Sequence, residues 1–99
     1  MRLSAEQIQR LKRLAVEVGG TDARLRLFGS RLDDTRSGGD VDLLLELTRP
    51  ATNPAPLAAR MAARASRALD GRKVDVVLAA PNLKRLPIHD VAFRHGIEL

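Results

Sequence analysis

The sequence predicts a small α+β (α/β-like) domain: a mixed β-sheet of three to four strands flanked by helices, in the order α-β-β-α-β-α. Three observations predict it. Apolar residues recur at helical spacing in two long segments, while three short segments are alternating or continuously apolar in the manner of strands. Glycine and proline punctuate the boundaries between them. The 99 residues, 44% of them hydrophobic, suffice for one core, so residues 1–99 are expected to form a single domain.

Each element has its own signal. Ser4 followed by Gln7 reads as a capping box. Ile8, Leu11, Leu14 or Ala15, and Val18 then mark one buried helix face, which Gly19-Gly20 terminates. Arg24-Leu25-Arg26-Leu27-Phe28 alternates as a half-buried strand and ends at Gly29-Ser30. Residues 31–39 are polar, charged and glycine-containing, and read as a loop. Asp40 to Leu47 forms the second strand, and Thr48 to Pro56, with three of the five prolines, reads as a connection. Leu57, Met61, Ala65 and Leu69 (or Ala68) line the inner face of a second long helix closed by Asp70-Gly71. Lys73 to Leu78 is a third strand, ended by Pro81-Asn82, and Pro87 to His95 a last short helix. Gly96 then releases a three-residue tail suited to a sheet edge.

Composition excludes several classes. Without cysteine there is no disulfide scaffold, thiolate zinc site or thiol nucleophile, which fits a reducing cytoplasm. Two phenylalanines, Phe28 and Phe93, are the only aromatics, so a stacking platform for single-stranded nucleic acid is not expected. No apolar run spans a membrane, and the first residues carry no leader pattern. The expected location is cytoplasmic. Seventeen Lys and Arg against twelve Asp and Glu give +5, which favours an anionic partner. Arg60, Arg64 and Arg67 form a basic stripe on the second long helix, either a solvated face or a docking surface. His89 and His95 lie six apart with no neighbouring ligand pattern, and no metal role is assigned to them.

Three carboxylates sit where the strand pattern makes them expensive. Asp40 and Asp42 share one face of the second strand, opposite Val41, Leu43, Leu45 and Leu47. Asp75 interrupts the most hydrophobic strand. If the second and third strands are neighbours, the three acids converge, and clustered like charges call for a cation. Oxygen-only ligands suit Mg²⁺ or Mn²⁺, ions that usually work on phosphate groups. Taken singly the acids have ordinary explanations: a loop end, an exposed face, a pairing with arginine. Gly29-Ser30 adds backbone N–H groups and a hydroxyl at a strand end, a suitable cradle for phosphate.

Together, Phe28-Gly29-Ser30, nine intervening residues, Asp40-Val41-Asp42-Leu43 and the later Val74-Asp75-Val76 resemble the motif set of the DNA polymerase beta-like nucleotidyltransferase superfamily. The length resembles its minimal nucleotidyltransferases, known as antitoxin partners of HEPN-domain toxins. Family members often carry Ser or Thr before the first acid; here Gly39 stands there, which leaves the ligand acids intact. The resemblance implies that Gly29 and Ser30 hold the β- and γ-phosphates of ATP. It also implies that Asp40, Asp42 and Asp75 bind two Mg²⁺ ions, with Asp75 helping to activate an acceptor hydroxyl. Arg31 and Arg36, in the loop, either reach phosphate oxygens or are solvated loop arginines. The implied activity is transfer of a nucleoside monophosphate, AMP foremost, to a hydroxyl of a partner protein. The implied partner is a HEPN-type toxin modified on tyrosine, in a hetero-oligomer. Nothing in these 99 residues reads as an acceptor-binding domain, and with no tyrosine present such a transfer is not self-modification. The alternative is an antitoxin that neutralises its toxin by binding alone. A nucleic-acid partner rests on net charge only and is not expected.

Overall fold

A computed structural model describes residues 3–29 and 41–99. Among the described residues three helices and four strands follow one another as α1 (Ala5–Gly19), β1 (Arg24–Phe28), β2 (Val41–Glu46), α2 (Pro54–Ala68), β3 (Val74–Ala79), α3 (Pro87–His95) and β4 (Ile97–Glu98). The fold is α+β, as the sequence predicts. The strands form one mixed sheet in the order β3-β2-β1-β4. β1 runs antiparallel to both β2 and β4, whereas β2 and β3 are parallel and joined through α2. The predicted tail becomes β4, extended by a hydrogen bond from Leu99 N–H to the Leu25 carbonyl at 2.9 Å.

The helix ends follow from local chemistry. Ser4 Oγ accepts from Gln7 N–H at 3.1 Å and Gln7 Oε1 accepts from Ser4 N–H at 2.9 Å, a complete capping box. α2 begins at Pro54, inside the segment that the proline count marks as a connection. First-turn N–H groups have no acceptor within a helix, so the prolines at 54 and 56 cost no intrahelical bond. Its other end is a Schellman-type stop: Gly71 N–H reaches the Ser66 carbonyl at 2.8 Å, and Asp70 (φ 60°) supplies the left-handed residue.

The sheet has two unlike faces. On one, α1 and α2 cover Leu25 and Leu27 of β1, Val41, Leu43 and Leu45 of β2, and Val74 and Leu78 of β3. Leu11, Ala15, Val18, Met61, Ala65 and Leu69 complete this core. The opposite face carries a smaller cluster of Phe28, Leu44 and Ala92, with Val77, Ala79 and Phe93 packed against it under α3. Two clamps hold the elements around β3. His89, 4% exposed, accepts from Leu86 N–H through Nδ1 at 2.8 Å, and its Nε2 donates to the Leu78 carbonyl at 2.7 Å. Both ring nitrogens are thereby engaged, and the imidazole ties the start of α3 to β3. Asn82 pairs with both backbone groups of Ala51, each at 2.8 Å, and fixes the β2–α2 connection to the end of β3.

Candidate functional site

Strand alternation builds the site. Because Val41, Leu43 and Leu45 fill the α1/α2 core, Asp42 is turned to the opposite face of the sheet, the one that carries Leu44. β3 repeats the pattern, with Val74, Val76 and Leu78 inward and Asp75 on the face of Val77. The parallel register pairs Asp42 directly with Asp75. Two carboxylates therefore sit side by side on adjacent strands, whose backbones lie about 4.8 Å apart. Both occupy the second position of their strand, at the end of the sheet where β2 and β3 begin and β1 finishes. A hydrogen bond from Val41 N–H to the Lys73 carbonyl at 2.9 Å extends the pairing at this end and fixes the register.

β1 brings the third component. Phe28 is the register partner of Asp42, so Gly29 leaves the strand beside that carboxylate. Gly29 adopts φ +81°, a left-handed conformation that residues with a side chain rarely take. A Cβ placed there would lie 2.5 Å from Asp42 Oδ2. The carboxylate occupies the space a side chain would fill, which gives the glycine of the Gly-Ser pair a steric reason in addition to a conformational one. Asp42 is half-buried and Asp75 exposed, so the pair opens to solvent.

Of the predicted site residues, Gly29, Asp42 and Asp75 come together at one end of the sheet. Ser30, Arg31 and Asp40, together with the rest of residues 31–39 including Arg36, lie outside the described residues. Among the described residues no group of three His, Cys, Asp or Glu side chains gathers as a metal site. The donors that do meet, two carboxylates without nitrogen or sulfur, are of the kind that Mg²⁺ or Mn²⁺ takes. His89, committed to two backbone groups, is a structural residue. The sequence assigns His89 no metal role, but it gives neither His89 nor Asn82 the clamping role that the fold shows. Pro87 at the helix start did place His89 at the third helical position, where a side chain commonly reaches back to the N-cap. The Asn82 clamp bridges residues 31 apart and has no local signature.

Two grooves of the described surface lie away from the acids. One of about 440 Å³ runs from the end of α1 past Leu47 to the start of α2. The other, about 480 Å³, lies between α1 and α2. No helix among the described residues is long and apolar enough to cross a membrane. In comparison with known proteins, no family model, no curated protein and no solved structure matches the chain.

Proposed function

We propose that this chain is a Mg²⁺-dependent nucleotidyltransferase that moves AMP from ATP to a hydroxyl of a partner protein, acting in the cytoplasm as antitoxin to a HEPN-type toxin. The observation that carries this reading is the pairing of Asp42 with Asp75, with Gly29 packed against the Asp42 carboxylate. Strand alternation and a parallel register put both acids at one sheet end, and the Gly-Ser pair follows the strand that borders them.

In this reading Asp42 and Asp75, with Asp40, hold the divalent ions, which when bound neutralise phosphate charge along the reaction coordinate. Gly29 leaves room for the Asp42 carboxylate and for the phosphate chain, which Ser30 helps to seat. Arg31 and Arg36 add positive charge beside it. Asp75, the more exposed acid, accepts the proton of the acceptor hydroxyl. That oxygen bonds to the α-phosphorus while the bond from the α-phosphorus to the bridging oxygen breaks, and its electron pair leaves with pyrophosphate.

Incubation with ATP, Mg²⁺ and the candidate toxin, read by intact mass, tests it. One added AMP on the partner, lost with Asp42→Asn, is expected. An unmodified partner, with Asp42→Asn indistinguishable from the parent, would sink the catalytic reading. Rescue of toxin-expressing cells by an Asp40→Asn, Asp42→Asn double variant would point instead to neutralisation by binding.

A further inference from the structure

The packing of α1 against α2 creates a feature that neither helix shows alone. Arg10 and Arg13 of α1 face Arg64 and Arg67 of α2 across the groove of about 480 Å³, with Leu14 and Ala68 half-buried at its base. One acid, Glu17, lines the groove and lies 3.5 Å from Arg64. Glu6, one turn before Arg10 on α1, pairs with it. Among the described residues Arg13 and Arg67 have no ion-pair partner within 4 Å. The groove therefore presents two opposed guanidinium groups in excess, across an apolar floor, on the side of the sheet opposite Asp42 and Asp75.

We propose that this groove is a docking surface for an acidic, amphipathic segment of a protein partner. Apolar side chains of that segment seat on Leu14 and Ala68, and its carboxylates meet the arginines on both walls. Planar guanidinium forks suit carboxylates bidentately, and an apolar floor between charged walls suits an amphipathic helix laid along it. Three observations favour a protein over a nucleic acid. Glu17 and Glu6 would repel a phosphate backbone running along the groove. The floor offers nothing to a phosphodiester chain. The two aromatic residues, which could stack on bases, both belong to the opposite face of the sheet. The inference stands apart from the nucleotidyl-transfer reading, since no residue is shared.

Fluorescence anisotropy tests it with three labelled probes: a peptide of glutamates with leucine at helical spacing, an equally charged peptide without leucine, and an RNA oligomer. Saturable binding of the first peptide is expected, tighter than either other probe and weakening as salt rises. Arg13→Gln with Arg67→Gln should weaken it at least tenfold at low ionic strength. Arg49→Gln with Arg85→Gln, which removes the same charge elsewhere, should change it less than threefold. Circular dichroism confirms that each double variant is folded. Absence of saturable peptide binding, equal loss in the two double variants, or tighter binding of RNA through Arg13 and Arg67 would overturn the proposal.

Discussion

The two faces of the sheet are built to different ends, and β2 belongs to both. Its residues Val41, Leu43 and Leu45 are 0% exposed beneath α1 and α2, whereas Asp42 and Glu46, on the other face, keep contact with solvent. The α1/α2 face is continuous hydrophobic packing from all three longer strands. The α3 face is apolar only in its middle, where Phe28, Leu44 and Ala92 meet, and gives way to paired carboxylates at one end. One face contributes stability through burial. The other gives part of its area to charge, and relies on the His89 clamp and cation–π contacts to hold α3. Phe93 of α3 lies 5.1 Å from the Arg26 guanidinium and 4.5 Å from that of Arg85, and Arg85 also pairs with Asp90 at 3.1 Å. Changes on the first face should therefore act on the whole fold, and changes on the second should act locally.

Leu43→Ala is expected to have the largest effect on stability. It empties a fully buried position on the α1/α2 face, and such truncations cost about 2–5 kcal/mol. Denaturant titration should show a lower midpoint with a single cooperative transition. A loss well under 1 kcal/mol would contradict the assignment of this face as the main core.

His89→Ala comes next. It strips a partner from the Leu78 carbonyl in a buried contact and from Leu86 N–H in a part-buried one, and one unsatisfied buried group costs about 1–3 kcal/mol. Part of that cost is avoided if α3 opens, so hydrogen exchange should rise in α3 and change little in α1 and α2. Equal acceleration in all three helices would erase the distinction between the faces.

Gly29→Ala should have the smallest effect on stability but a disproportionate one on the site. The left-handed conformation costs a residue with a Cβ about 1–2 kcal/mol, and the new methyl group displaces the Asp42 carboxylate. Nucleotide transfer should fall by more than the melting curve suggests. Replacing Asp42 by Ala in the same chain should remove the clash and recover part of the stability but none of the activity. If Gly29→Ala left transfer intact, the close approach to Asp42 would have no functional meaning.

What could be read from the sequence was what is decided locally. Ser4 and Gln7 act within one helical turn, and the alternation of Val41, Asp42 and Leu43 assigns faces without knowledge of any neighbour. The inward faces of α1 and α2 were legible for the same reason. The strand order was not, because adjacency of β2 and β3 depends on how α2 returns the chain. From sequence, the direct pairing of Asp42 with Asp75 is therefore conditional on that adjacency. Proline composition concealed the first turn of α2, where proline is harmless. The Asn82 clamp and the opposed arginines of α1 and α2 join residues distant in sequence, and no spacing rule reaches them.

The proposed function requires Asp42 and Asp75 to form one divalent-cation site at the end of the sheet. Titrating Mn²⁺ with a non-hydrolysable ATP analogue into isotopically labelled protein tests it directly, through paramagnetic broadening of amide resonances. Gly29, Asp42, Asp75 and their neighbours should broaden first, and Asp42→Asn should abolish this selectivity. Broadening that begins at Glu6, Glu17 or Glu98, or that survives Asp42→Asn unchanged, would contradict it.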